Sequence, residues 1–526
     1  MKLNLEWVTN VIDDSYKNWK NGDEIIIKAQ TGTGKTYFIK NVLIPYMDAD
    51  EQMLIVCNRI HLKQQIKRDL LMKTFEETKI EICERFEVDS IDDLTYEQLE
   101  KITTIDNVTI ISYQSLAYKM VKREEGNGDF DFSQFRYVVF DECHFILADS
   151  EFNNTTRYAL VKILEHEFYT TKIYISATIE EVKNILVNRR ILGKNKYIEY
   201  NTGVDYSYIS PIATKYLHRV NDMYNLITND KTNDKWLVFV TNIKTGEELA
   251  EKLGDDVAKF IKAGDKGQEI NNIINHSKFD CKVLISTKCL DNGININDSQ
   301  LKNIIILEYN EVTFIQELGR IRIDINNAPK INLYIPMRSR LSFERIFDMK
   351  FESKIAQVNL FKDCEKEFQI AYRNNHQAVK QDLFYLDIKT NKWCLNECGY
   401  NKLLKDVAFI ERMILELKNN KYAYIVEVMK WLELNFINVE IIEESIESDN
   451  SDKISEYLQS IVGEKLTKDK QGELINIIGL TDAYGRQQKS FSIMKSYIEN
   501  NTDYILNKKR IDTKEFRGTI WIVNQK

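Results

Sequence analysis

Ala29-Gln-Thr-Gly-Thr-Gly-Lys-Thr36 follows a strand-like run, Glu24–Ala29, and precedes a helical stretch. That context is the one a phosphate-binding loop requires. Gly32 and Gly34 let the backbone curl so that its N–H groups point at phosphates. Thr31 and Thr33 complete the loop. Lys35 can reach the β- and γ-phosphates, and Thr36 can set its hydroxyl on Mg²⁺ at a helix N-terminus that favours anions. About a hundred residues on, Phe140-Asp-Glu-Cys-His144 closes the apolar run Tyr137–Phe140. Carboxylates at the C-terminal end of such a strand face the crevice where open α/β sheets bind ligands. Asp141 can hold Mg²⁺, directly or through water, and Glu142 can orient and activate an attacking water. Phosphoryl transfer needs little more than a metal, a positioned nucleophile and cations on the developing charge.

The elements that must carry these residues are legible as short apolar runs between helical stretches. Glu24–Ala29, Met53–Cys57, Thr109–Ser112, Tyr137–Phe140 and Lys172–Ser176 form one series. Trp236–Val240, Lys282–Ser286, Asn303–Leu307 and Ile331–Ile335 form a second. Continuous apolar runs of this kind predict parallel sheets covered on both faces. The fold expected is therefore α/β, two tandem units with a joint near Asn201–Pro211, then a helix-rich C-terminal region. All four prolines lie at or before Pro336, which leaves the rest of the chain free to form helices. Tyr400–Leu417 and Tyr422–Phe436 show apolar residues at helical spacing. Asp382–Asn396 has the pattern of a hairpin turning at Thr390–Asn391. Glu440–Glu456, rich in acidic residues, is expected to be a solvated loop or linker.

The strings along residues 24–340 resemble, in order, the motifs of superfamily 2 helicases of the DEAD/DEAH-like (DExH) group. The loop at 29–36 is similar to motif I, Asp141-Glu-Cys-His144 to motif II and Ser176-Ala-Thr178 to motif III. Cys57–Gln65 is similar to motif Ia, and Ile111–Leu116 to the next strand-end motif. In the second unit, the stretch from Trp236 resembles motif IV, Ile285–Asn295 motif V and Gln316-Glu-Leu-Gly-Arg-Ile-Arg322 motif VI. The resemblance implies two RecA-like P-loop domains, residues 1–205 and 206–340, followed by a mainly helical accessory region, 341–526, with a split near 440–456. It implies ATP and Mg²⁺ as cofactors, with a single strand of DNA or RNA, DNA favoured, as the track. Arginine fingers would come from Arg320 or Arg322, with Gln316 also facing the nucleotide. His144, Ser176, Thr178 and Asn295 would couple the two sites. Arg59, Ser112, Tyr113, Thr287 and Gly293 would meet the nucleic-acid backbone. The implied activity is an ATP-dependent helicase or translocase. The alternatives are a non-unwinding motor subunit of a defence, restriction or replication assembly, and an ATP-switched nucleic-acid clamp.

Some positions depart from the family pattern. Ile323 stands where motif VI usually ends in Arg, and Asn295 where motif V usually has Asp. No adenine-reading motif precedes the loop. Trp7, Tyr16 and Trp19 are either stacking partners for a base or core residues. Alone, His144 reads as a hydrogen-bonded histidine at a domain surface, and Arg59 with Lys63 as a solvated helix face.

Composition narrows the class. The net charge of −8 excludes a globally basic nucleic-acid binder and leaves room for a local basic channel. Arg486–Lys526 carries nine Lys and Arg against four Asp and Glu. That end reads either as a winged-helix-like nucleic-acid contact or as a terminal strand closing a structural domain. Cys394 and Cys398 lack a second pair for a zinc site and read as reduced thiols. With no apolar run long enough for a signal peptide or membrane span, a soluble, cytoplasmic protein is expected, with a protein partner through 341–526 as one option.

Overall fold

The computed structural model describes the chain except residues 58–59, 125–127, 129, 149–169, 181, 184–196, 263–264, 266–268, 270–272, 274–275, 288–294, 388–389, 444–453, 455–456, 481–486, 503 and 513–516. The first sheet contains β1 (Glu24–Lys28), β2 (Met53–Cys57), β3 (Thr104–Ile105), β4 (Val108–Ser112), β5 (Tyr137–Asp141), β6 (Thr171–Ser176) and β7 (Tyr197–Asn201). Its order is β3-β4-β2-β5-β6-β1-β7. All pairs are parallel except β3–β4 at one edge. Val, Ile and Leu fill the central strands, and β2 is buried along its whole length. Such strands are covered on both faces, so the alternation of a half-exposed strand is absent.

The second sheet contains β8 (Ile209–Thr214), β9 (Lys235–Phe239), β10 (Ala258–Ile261), β11 (Val283–Ser286), β12 (Leu301–Ile306) and β13 (Ile331–Pro336). With a late strand, β16 (Glu440–Ile442), it runs β10-β11-β9-β12-β13-β8-β16, all parallel. Two sequence expectations change here. The joint ends sooner than Pro211, because Pro211 lies inside β8 and pairs in register with Leu333. Glu440–Ile442, expected in a solvated loop, instead forms the edge strand of this sheet. The acidic composition of the following residues hid three positions, Glu440, Ile441 and Ile442, which pair with Ile212, Ala213 and Thr214. The rest of that predicted loop lies mostly outside the described residues.

Helices from Arg340 to Trp431 share one apolar core with the second sheet. Phe343, Phe368, Ile410, Tyr424 and Val428 belong to the same cluster as Leu237, Ile304 and Leu333. Trp431 packs edge-on against Phe314, with ring centroids 5.7 Å apart, so this layer braces the helix Glu311–Leu318. The predicted hairpin forms as β14 (Phe384–Asp387) and β15 (Lys392–Leu395), antiparallel, with Asn391 at φ +53°. Residues Met1–Lys215 and Asn233–Ile442 make one compact unit; Tyr216–Thr232 and Glu443–Lys526 make a second. The second unit has its own core, which includes Leu458, Leu466, Leu474, Met494, Ile498, Leu506 and Val523. It ends in the antiparallel pair β17 (Tyr504–Asp512) and β18 (Arg517–Gln525). Among the described residues no helix is long and apolar enough to cross a membrane.

Gly399 shows how tightly the hairpin is held. It lies in the first turn of the helix Glu397–Glu416, where a Cβ would stand 3.0 Å from the carbonyl carbon of Asp382 and closer still to its oxygen. The Asn396 side chain caps that helix and also donates to the Asp382 carbonyl at 2.9 Å. In an open helix Gly→Ala gains up to about 1 kcal/mol. Here Gly399→Ala should instead cost about 1–3 kcal/mol through overpacking, read as a lower urea midpoint at unchanged slope.

Candidate nucleotide site

Strand β1 delivers the chain into the loop at Ala29, which is fully buried. Gly32 and Gly34 adopt φ of +93° and +85°, a region L side chains rarely enter. The loop closes on itself through Thr33, whose hydroxyl donates to the Gln30 carbonyl at 2.8 Å. The helix then starts at Lys35. Lys35 Nζ lies 3.0 Å from Glu142 Oε1, and both side chains are almost fully buried. Thr36, Lys35 and Asp141 line one small crevice. A hydroxyl and a carboxylate are hard oxygen donors, the type Mg²⁺ takes, so Thr36 and Asp141 fit that ion.

Asp141 ends β5, and Glu142 follows at φ +48°, a strained conformation for a residue with a Cβ. The turn is anchored by the Cys143 N–H on the Ile175 carbonyl at 3.1 Å. It is also held from behind. Tyr113 is fully buried, and its hydroxyl donates to the Asp141 carbonyl at 3.0 Å. Burial pushes that phenol well above its ordinary pKa. The Tyr113 ring thus supports the Asp141–Glu142 turn from inside the core. His144 Nδ1 is 2.8 Å from Ser176 Oγ and 3.4 Å from Glu142 Oε2. Ser176 Oγ in turn accepts the Thr178 N–H at 3.0 Å. A buried chain thus runs Lys35–Glu142–His144–Ser176–Thr178. It joins the ends of β1, β5 and β6.

The segment after Glu311–Leu318 crosses the loop. A Cβ on Gly319 would lie 2.8 Å from Thr31 Oγ1, and one on Gly32 would lie 3.4 Å from the Ile323 carbonyl. Arg320 is 2% exposed; its Nε and Nη2 donate to the carbonyl and side-chain oxygen of Gln316, each at 2.9 Å. Arg322 is half-buried, and its N–H donates to the Ile296 carbonyl at 2.8 Å. Ile296 also bridges to Ile321, so Asn295 is held beside these arginines along the chain. Asn295 Oδ1 is buried without a hydrogen-bond partner among the described residues.

Ser112 ends β4, where its hydroxyl accepts the Ser115 N–H at 3.0 Å; Thr287 follows β11. Both are part-exposed at the C-terminal ends of their strands. Arg59 and Gly293 lie outside the described residues. Lys63 does not lie on a solvated face: it is 6% exposed and paired with Glu100. Beside it, Lys67 donates to the Leu99 carbonyl at 2.9 Å, and burial, then the Lys63 charge, lower its pKa to about 8.

Two further residues belong to the site. The Gln30 side chain donates to the Asp205 carbonyl at 3.0 Å and accepts the Asp205 N–H at 2.8 Å, tying the loop to the joint between the sheets. No local pattern signals a partner 175 positions away. Trp7 settles between its two readings by position: it is 39% exposed and lies against the loop, 3.1 Å from where a Gly34 Cβ would be. Trp19 is buried, and Tyr16 packs edge-on against Trp19, Phe38 and Tyr46, so both are core residues.

Residues 3–181 match the family of the Res subunit of type III restriction enzymes, and residues 218–324 match the helicase conserved C-terminal domain. Solved structures it is similar to include Dbp5 of S. cerevisiae bound to RNA and ADP–BeF3, at 17% identity over 60% of this chain and 79% of that one, TM-score 0.40. A DEAD box protein from Methanococcus jannaschii gives 19% identity, 64% and 87% coverage and TM-score 0.35. The Mycobacterium smegmatis helicase Lhr, bound to ssDNA and AMP-PNP, gives 14%, 73% and 57%, and 0.42. No curated protein sequence matches significantly.

Trp7 supplies a reporter for the loop. Mg-ADP should change the tryptophan emission of the full chain. Trp7→Phe should remove most of that change while calorimetric binding persists, and Lys35→Ala should weaken both signals.

Proposed function

We propose that the chain is a superfamily 2 helicase, an ATP-dependent motor that moves along or unwinds DNA, a reading that the two family matches support. The observation that carries the reading is the buried chain from Lys35 through Glu142 to Ser176, with the Gln316–Arg322 segment across the same loop. In the proposed cycle the N–H groups around Gly32 and Gly34 cradle ATP phosphates. Lys35 turns from Glu142 to the β- and γ-phosphates. Thr36 and Asp141 would hold Mg²⁺, which neutralises charge on the phosphate oxygens. Glu142, released from Lys35 and still beside His144, orients the attacking water and takes its proton. Arg320 or Arg322 stabilises the charge on the transferred group, a role worth about 10³–10⁵ in rate where fingers occur.

Coupling follows from shared contacts. Ser176 and Thr178 sit at the end of β6, so a change at His144 reaches a strand end directly. Ser112 and Thr287 are proposed as backbone contacts, with Arg59 and Gly293 as further ones. Phosphate contacts make binding sequence-tolerant and salt-sensitive. The match to a restriction-enzyme subunit favours DNA over RNA. It also favours a second reading, a non-unwinding motor subunit of a restriction or defence assembly. The β14–β15 hairpin separates the two: deleting its tip should abolish unwinding and spare ATPase only if the chain is a helicase.

The deciding experiment measures ATP hydrolysis with no polymer, single-stranded DNA, duplex DNA and RNA. Strong stimulation by a DNA is expected. Glu142→Gln should lower the stimulated rate about 10²–10⁴-fold, with nucleotide binding intact. Equal rates in all four conditions would overturn the motor and leave the ATP-switched clamp.

A further inference from the structure

The second unit repeats an order of elements that serves duplex recognition elsewhere in protein structure. Helical residues 457–460 lead into a turn, with Gly463 at φ +78°, that meets β18 at two isolated bridges, Val462–Val523 parallel and Leu466–Trp521 antiparallel. The helices Lys468–Ile478 and Phe491–Asn501 follow, then β17 and β18. With the antiparallel Leu466–Trp521 bridge in the place of the first strand, this is the order of a winged helix, in which the last helix is presented to the groove and the hairpin flanks it. The connection between the two helices is longer than the turn of a simple helix-turn-helix.

Met494 and Ile498 of the last helix are fully buried in the core, while Ser492 and Ser496 are exposed. Lys489 and Ser490 precede it, also exposed, and Ser490 caps it by accepting the Ile493 N–H. No acidic residue occurs in its first two turns; Glu499, near its end, pairs with Lys495 at 3.7 Å. On the hairpin, Leu506 and Val523 are buried and face each other across the ladder. Beyond them Lys508, Lys509 and Arg510 are all exposed, and among the described residues none forms an ion pair. Lys508 Nζ lies 4.9 Å from the centre of the Phe491 ring, which brings the basic strand beside the start of the helix. One hairpin face thus closes the core, as the reading of a terminal strand expects, and the outer part carries exposed positive charge in a chain of net −8.

We propose that this unit binds duplex DNA, with the start of the helix Phe491–Asn501 in the major groove and Lys508, Lys509 and Arg510 on the neighbouring phosphates. Charge selects a polyanion, and groove shape selects DNA. The start of the helix exposes Ser492 and Ser496 with Ile493 beside them, and a helix of this kind enters a B-form major groove about 12 Å wide. The A-form major groove of duplex RNA is too deep and narrow to admit it. The contact needs no nucleotide, so it is independent of the motor reading.

The test uses the full chain without nucleotide, with fluorescent duplex DNA, duplex RNA and single-stranded DNA. Variant one is Lys508→Ala/Lys509→Ala/Arg510→Ala. Variant two is Ser492→Glu, which touches no core residue and puts a carboxylate where the groove would be. Both should lose at least tenfold in affinity for duplex DNA, with the melting temperature and single-strand affinity unchanged. The triple variant should also flatten the log–log salt dependence by up to about 2.7, at about 0.9 per lost phosphate contact. Unchanged duplex affinity in either variant overturns the proposal. So does an equal loss on duplex RNA or on the single strand. ATP hydrolysis measured in parallel reports on the motor separately, since its absence leaves the binding result standing.

Discussion

A lysine and a glutamate held together almost out of water, Lys35 and Glu142, set the terms for the first sheet. Burying two charges is costly unless geometry and further hydrogen bonds compensate. The surroundings supply both. β1 fixes the lysine end and β5 the glutamate end. Glu142 accepts a strained backbone because the Cys143 N–H and the Tyr113 hydroxyl pin the turn on either side. Two strands that are far apart in sequence meet at one ion pair because β6 lies between them in the sheet. The parallel order is thus what brings the two side chains together.

The second sheet reaches the same loop by small residues and backbone. Gly319 gives Thr31 room that any side chain would take. Gln30 reads the backbone of Asp205 with both ends of its amide, so loop and joint share two hydrogen bonds. The helix carrying Gln316 is supported from behind by Trp431, which ties the region beyond residue 340 to the site. These contacts are short and specific, and a shift of one sheet must be felt by the loop.

Much of this was legible in the chain. Nine apolar runs predicted nine strands within two residues of their observed ends, because strands buried on both faces leave a continuous apolar signature. The strands missed were short or half-exposed, like β3, β7, β10 and β16, or contained a proline, like β8. The glycines of the loop and the Asp-Glu pair announced themselves because phosphate chemistry restricts residue type. Tyr113, Lys63 and Gln30 did not. Their surroundings are built by residues distant in sequence, Asp141, Glu100 and Asp205, and no local spacing encodes a tertiary partner.

The first few residues carry a consequence for how the protein is made. Leu3 lies in the core of the second sheet, its N–H on the Ile325 carbonyl at 2.8 Å, and the Ala328 N–H binds the Met1 carbonyl at 2.7 Å. A few positions later the Val8 N–H holds the Thr33 carbonyl at 2.9 Å. One flank of the phosphate loop is therefore moored by residues synthesised more than three hundred positions afterwards. At about 5–20 residues per second, that leaves the flank waiting roughly 15–65 s on the ribosome. During that interval the first sheet can form, but its loop lacks one of its anchors. The nascent chain thus acquires its complete nucleotide loop only once the second sheet has been synthesised.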